Sequence, residues 1–347
     1  MQEHPYRGLP PHHFWKTAVA GAGAGLDPVT ALPFRIGPQD RVAAAGSCFA
    51  QHIARNLTAS GFDFLRTEGG EDSAFSARFG NVYTARQLRQ LMLRAYGLLR
   101  PMDTAWQLPG GGWVDPFRPQ MLGPGMPDAE QVAAAREDHL AAVRAMFEQC
   151  TVFIFTLGLT EAWLAADGAA LPVPPGVLGV VDGASAARFH NFSLDEVCLD
   201  LEAFLVDLVH VNPSVRVILT VSPVALAATH EDRHVLVSNT LSKATLRLAA
   251  EAMRARHGRV CYFPSYEIVT APANAPHAFA PDMRSVTEVG VARVMALFNR
   301  HMLGAAEVPL PLAAAAAPVI TAAMQAEFEA RAKILCDEEL LAAAVSS

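Results

Sequence analysis

Three observations in this chain predict an α/β fold with a parallel, doubly wound sheet and helices on both faces. Short apolar runs alternate with amphipathic helical segments from residue 41 to residue 302. One run, Thr151-Val152-Phe153-Ile154-Phe155-Thr156-Leu157, has almost no polar interruption, as suits a strand covered on both faces. The runs are joined through helices, which is how parallel strands are connected, with right-handed crossovers. At 347 residues and 52% hydrophobic content the chain has ample material for a sizeable core in one large domain or two.

Taken in order, residues 1–35 hold His12-His13, a Gly-Ala run and several prolines, and read as an irregular arm. Arg41 to Ala45 is the first strand. It passes through the small-residue turn Gly46-Ser47-Cys48 into a helix whose Phe49, Ile53 and Leu57 recur every four residues until Gly61 stops it. Phe62 to Leu65 is a second strand. Thr84 and Gln87 form a capping box that opens a helix with Leu88, Leu91, Met92 and Ala95 inward. The stretch 101–127 is rich in Pro, Gly and Trp without periodicity; it reads as an insertion, long for a structureless loop and so a place where function could reside.

Asp128 and Gln131 cap the next helix, with Val132, Leu140, Val143 and Phe147 toward the core, and the strand 151–157 follows. A Pro-rich loop at 172–190, inside a second insertion near 165–192, leads to the capping box Ser193/Glu196 and a helix to His210. Then come a strand from Val215 to Val221, a helix to His257, Gly258, and a strand from Val260 to Phe263. A helix from about Thr287 to Met302 closes a domain set at 36–303. Residues 304–318 read as an Ala- and Pro-rich linker, and Thr321 to Ala344 as a helix of mixed charge.

Composition excludes several classes. The formal charge is −7 with Lys and Arg scattered, so there is no basic stripe for phosphates and no nucleic-acid partner is expected. Met1-Gln2-Glu3-His4-Pro5 lacks a basic region followed by an apolar core, and no apolar run reaches the ~18 residues that span a bilayer, so no membrane partner and a cytoplasmic location are expected. The five cysteines, Cys48, Cys150, Cys198, Cys261 and Cys336, contain no Cys-x-x-Cys pair; free thiols are expected, and neither a disulfide framework nor a metal site.

The Gly46-Ser47-Cys48 elbow puts a hydroxyl and a thiol where a parallel sheet opens to solvent, beside the positive end of a helix, a natural place for a nucleophile. Gly46-Ser47-Cys48-Phe49-Ala50 resembles the signature of the GSCFA family, a group related to the SGNH/GDSL esterases and acyltransferases. Gly80-Asn81-Val82-Tyr83-Thr84, Thr156-Leu157-Gly158-Leu159-Thr160-Glu161-Ala162-Trp163, Thr220-Val221-Ser222-Pro223-Val224, Ser242-Lys243 and Tyr262-Phe263-Pro264-Ser265-Tyr266-Glu267-Ile268 look like further blocks of that family, in family order.

That resemblance implies an SGNH-like three-layer sandwich and an acyl-ester enzyme, an esterase or O-acyltransferase acting on a small-molecule or carbohydrate substrate. It implies Cys48 as nucleophile with Ser47 as the alternative, following Gly46. An oxyanion hole would form from Thr160, in the turn Gly158-Leu159-Thr160-Glu161, with Gly80 or Asn81; otherwise Thr160 and Glu161 cap a following helix. Where SGNH relatives carry Asp-x-x-His, this chain has Asp282-Met283-Arg284-Ser285, so the standard base is absent. His234 is the first substitute and His52, one helical turn after Cys48, the second, with His190 and His277 in loops near the same edge. An Asp282–Arg284 pair would be structural, or Arg284 would clamp an anionic substrate, with Glu267 adding charge nearby. No cofactor is expected beyond an acyl donor such as acetyl-CoA for a transferase. The alternative is a catalytically degenerate binding protein that keeps the pocket and lacks the base. The oligomeric state is not legible in the sequence.

Overall fold

The computed structural model describes residues 4–69 and 73–304. They form two compact units, one of Pro38–Tyr262 and one of the described residues up to Gly37 with those from Phe263 onward.

The larger unit runs β1 (Arg41–Gly46), α1 (Ala50–Ala59), β2 (Asp63–Phe64), α2 (Ala85–Ala95), β3 (Trp106–Gln107), β4 (Trp113–Val114), α3 (Ala129–Gln149), β5 (Val152–Leu157), β6 (Glu161–Leu164), β7 (Ala170–Leu171), β8 (Arg188–Asn191), α4 (Leu194–Val211), β9 (Arg216–Val221), α5 (Val235–Arg256) and β10 (Val260–Tyr262). Five of these strands make one parallel sheet in the order β10-β9-β5-β1-β2. Burial dictates it. Every residue of β5 is buried, as are β1 and β9 after their first residues, so these strands need cover on both sides. Helices lie around the sheet: α1 packs on β1 and β2, α3 on β1, and α5 on β9 and β10. A cluster of Phe147, Phe153 and Phe204, with ring centroids 5.5 to 5.7 Å apart, joins α3 and α4 to β5.

From β1 the chain moves outward to β2, then returns to the other side of β1 for β5. The winding therefore reverses between β1 and β5. In open parallel sheets the ligand crevice lies at such a reversal, outside the carboxyl ends of the strands.

Both expected capping boxes form, Thr84 with Gln87 and Ser193 with Glu196, and Asp128 caps α3. On α3 the structure corrects one position: Leu140 is half-buried, and the inward residue is His139. The stretches expected as irregular insertions contain sheet. β3 and β4 form an antiparallel hairpin, and β6 pairs antiparallel with both β7 and β8. Trp106, Val114, Leu171 and Val173 share one apolar cluster between them. Nor does a helix follow Thr160. Glu161-Ala162-Trp163-Leu164 alternate half-buried and buried, the period of a strand, in a run too short for periodicity to reveal.

In the smaller unit α6 (Ser265–Thr270), α7 (Ala275–Ala278) and α8 (Glu288–Met302) accompany short helical turns within residues 11–25. The early segment is tied to α8: Asp27 pairs with Arg300 (3.2 Å) and His301 (2.7 Å), and Ile36 N donates to Met302 O (2.8 Å). The linker and helix expected beyond residue 304, with Cys336, lie outside the described residues. Among the described residues no helix is long and apolar enough to cross a membrane.

Candidate functional site

At the end of β1, Gly46 has φ +146°. A Cβ there would sit 2.5 Å from Thr156 O and 2.7 Å from Thr156 Cβ, so only glycine lets β1 and β5 close on each other. The approach allows Ser47 N to donate to Thr156 O (3.1 Å). Ala50 N then donates to Ser47 O (2.8 Å), and α1 starts from Phe49 with no side-chain cap. The Ser47 hydroxyl therefore does not cap the helix. It is buried, and its Oγ has no hydrogen-bond partner.

Two other segments close around this turn. Val82 N donates to Gly46 O (2.8 Å) and Gly158 N to Tyr83 O (2.9 Å). Gly158 lies so close that a Cβ on it would be 3.1 Å from Tyr83 O and 3.2 Å from Ser47 Cβ. Buried Asn81 accepts from Gln51 Nε2 (3.3 Å), and buried Lys243 of α5 donates its Nζ to Gly158 O (2.6 Å). Residues 46–47, 81–83, 158 and 243, far apart in sequence, thus converge at the carboxyl ends of β1 and β5. Thr156 and Thr220, opposite each other in β5 and β9, also bury hydroxyls without partners. Such a group costs about 1–3 kcal/mol when left unsatisfied, so a row of them at strand ends suits a place kept for a ligand.

Thr160 is differently employed. Its hydroxyl donates to Asn191 Oδ1 (2.7 Å) and contacts Ser242 Oγ (3.1 Å), which also accepts Thr160 N (3.0 Å). The one hydroxyl proton counted for an oxyanion is spent inside the protein. Glu161 accepts from the Thr229 hydroxyl (2.7 Å) and His230 N (3.3 Å), and Asn191 Nδ2 donates to Glu231 (2.9 Å), so the network holds the loop before α5 against β6 and β8. Gly80 has φ +75° and leads into Asn81.

The histidines expected as substitute bases are engaged in other ways. His234 is exposed and caps α5, its Nδ1 accepting from Leu236 N (3.2 Å). His52 rests on Phe49, with ring centroids 5.5 Å apart, and burial, with the Arg55 charge behind it, pushes its pKa down to about 4. It is neutral at pH 7 and a weak base. His190 lies 2.8 Å from Glu196, already the capping-box residue of α4, and His277 sits in α7 of the smaller unit.

The thiols also depart from expectation. Cys48, which the sequence sets where the sheet opens to solvent, is only 7% exposed, whereas Cys198 is half-buried. Cys150 and Cys261 are buried, and burial pushes both thiols up to about 12. Alkylation of the native protein, followed by peptide mass spectrometry, should therefore label Cys198 before Cys48, and Cys150 and Cys261 last. Labelling of Cys48 ahead of Cys198 would mean that the elbow opens in solution.

In the smaller unit Asp282 closes its own turn. Its Oδ1 accepts from Arg284 N and Ser285 N (both 2.9 Å) and its Oδ2 from the Ser285 hydroxyl (2.5 Å), with Met283 at φ +55° between them. Partial burial would raise the Asp282 pKa, but these bonds and the Arg284 charge hold it below the usual carboxylate range. Asp282 is exposed, not one half of a buried ion pair. Ser285 uses its side chain as a structural donor to Asp282.

Sequence reasoning missed a buried charge cluster that involves the 101–127 insertion. Asp115, Arg118 and His139 are all at most 3% exposed. Arg136 pairs with Asp115 (3.0 Å), Arg118 pairs with Glu68 (3.0 Å), and His139 Nδ1 lies 2.6 Å from Glu68. Burial opposes ionisation of Glu68, yet His139, the Arg78 amide and Arg118 bring its pKa down to about 2. The available signal was His139 at an inward helical position. Beside this cluster are two small, partly open clefts, both lined by Phe79, Asn81 and Phe117 and neither by Ser47 or Cys48. Among the described residues no group of three or more His, Cys, Asp or Glu could hold a metal ion.

No curated protein matches this chain. The model of the GSCFA family matches residues 41–298, well over half of the sequence, from the first residue of β1 into α8, and the chain therefore belongs to the GSCFA family.

Proposed function

We propose that this protein is an SGNH-like acyl-ester enzyme, an esterase or O-acyltransferase acting in the cytoplasm on a small-molecule or carbohydrate acyl group, with its nucleophile at the Ser47-Cys48 elbow. The observation that carries the proposal is the buried, unpartnered Ser47 hydroxyl where the winding of the sheet reverses, ringed by Gly46, Tyr83 and Gly158. On that ground Ser47 moves ahead of Cys48. Gly80 and Asn81 would supply oxyanion donors, and Thr160 would orient Asn191 rather than touch substrate. In the search for the base, Lys243 is tried before His234, because its amine is buried at the same turn while His234 is an exposed cap.

The second reading is a binding protein that has lost the base. It is favoured by the Ser285 hydroxyl bonded to Asp282 in the position of the missing histidine, and by the commitment of the Thr160 hydroxyl to Asn191. The two are separated by a covalent intermediate. An enzyme should release a burst of p-nitrophenol from p-nitrophenyl acetate and gain one acetyl group on the peptide holding Ser47 and Cys48, read by mass spectrometry. A transferase selective for its natural donor would spare the ester, so the mass measurement is repeated with acetyl-CoA. If neither donor acylates the elbow, the binding-protein reading replaces the catalytic one.

A further inference from the structure

The larger cleft is lined by Arg94 of α2, with Phe79, Val82, Leu91, Phe117 and Pro172 forming apolar walls. Arg94 is 7% exposed, and its Nε and Nη2 are buried with no hydrogen-bond partner. Its guanidinium carbon lies 4.1 Å from the centroid of the Phe117 ring. The face of the guanidinium is thus occupied. Its Nε and Nη2 lie along one edge and present two parallel N–H groups, the fork that a carboxylate accepts side-on. The other polar side chains of α2 on this cleft are used by backbone: Gln87 serves Tyr83, Thr84 and Leu171, and Gln90 serves Gly168 and Ala170.

The charges leave the same gap. Arg94, Arg118 and Arg136 are the cations of the neighbouring cluster, and Asp115 and Glu68 its anions. Asp115 is bonded by Arg136 and Phe117 N, and Glu68 by Arg118, His139 and Arg78 N. Burial lowers the pKa of His139 below its ordinary value, and even with His139 left out of the sum the three guanidinium groups outnumber the two carboxylates by one. Burial also lowers the Arg94 pKa to about 10, against the pull of Asp115, which leaves the guanidinium protonated at neutral pH. A buried cation without a hydrogen-bonded counter-ion is costly unless a ligand supplies one.

We propose that this cleft is a binding site for a small monocarboxylate with an apolar body, its carboxylate held side-on by Nε and Nη2 of Arg94 and its body against Phe79, Phe117 and Pro172. The cleft shares Asn81 with the proposed oxyanion donors, but carboxylate binding at Arg94 does not rest on that reading and is tested without turnover. Sodium hexanoate, its uncharged analogue hexanamide and inorganic phosphate are titrated into the full chain by calorimetry at constant ionic strength. Hexanoate should bind, with hexanamide weaker by about 10-fold or more, the loss expected when a charge-assisted pair is removed. Arg94→Lys, which keeps the charge and removes the fork, should weaken hexanoate by about 10-fold while circular dichroism stays native. Should that variant fail to fold, wild-type protein with carboxyl-13C hexanoate gives the same answer: the bound carboxyl should titrate at lower pH than the free acid. Equal binding of hexanamide, preference for phosphate, an unshifted carboxyl titration, or undiminished binding by folded Arg94→Lys would each overturn the assignment.

Discussion

Gly46→Ala should leave little or no stably folded protein. The new methyl group would stand 2.5 Å from Thr156 O, 2.7 Å from Thr156 Cβ and 2.8 Å from Thr156 N, at a φ of +146° that an L side chain rarely adopts. Nothing flexible is there to yield. Relief requires β1 to withdraw from β5, which breaks the Ser47 N to Thr156 O bond and pulls on the Val82 N to Gly46 O bond at the carboxyl end of the sheet. The penalty should exceed about 4 kcal/mol, a large share of the ~5–15 kcal/mol by which a protein exceeds its unfolded state. Gly258→Ala is the control, since its Cβ would meet nothing within 4 Å and its φ is not in the positive region. That variant should unfold within about 1 kcal/mol of wild type. Denaturant unfolding of the two variants checks the contrast; a Gly46→Ala protein as stable as Gly258→Ala would mean that the elbow is looser than its geometry.

Ser47→Ala should separate function from stability. If Ser47 is the nucleophile, hydrolysis of p-nitrophenyl acetate should fall by ~10⁴-fold or more, the scale seen when the attacking group of a catalytic unit is removed. Stability should not fall with it. The Ser47 Oγ is buried without a partner, so its removal relieves an unsatisfied polar atom rather than breaking a bond, and the melting temperature should stay level or rise. Cys48→Ala made in parallel assigns the role: loss of turnover only in Cys48→Ala returns the thiol to the position that sequence resemblance implied, and full activity in both variants removes the elbow from catalysis. A drop in melting temperature with Ser47→Ala would mean that its hydroxyl is a structural bond.

The main sheet was legible because its information is local. An unbroken apolar run such as 151–157 can only be a covered strand or part of a buried helix, and its length and flanks decide between them. Capping boxes at Thr84/Gln87 and Ser193/Glu196 are written within four residues and form as read. The elbow was legible for the same reason: small residues between a strand and a helix mark a sharp turn wherever they occur.

The small strands β3, β4, β6, β7 and β8, two to four residues each, escaped, since runs so short carry no period. What surrounds the elbow escaped for a different reason. Whether the Ser47 hydroxyl caps α1 or stands unpartnered, whether the Thr160 proton is free for a ligand or given to Asn191, and whether Cys48 is exposed depend on segments tens to hundreds of residues away. Lys243 meeting Gly158, and Arg94 left over beside Asp115 and Phe117, are products of tertiary packing alone. The sequence by itself determined an α/β chain of the GSCFA family with a glycine-hinged elbow, because covalent neighbours and helical or strand periods act at short range. Only the tertiary structure decided which polar groups are satisfied and which stay buried without a partner, because that balance is struck between residues the chain brings together only when it folds.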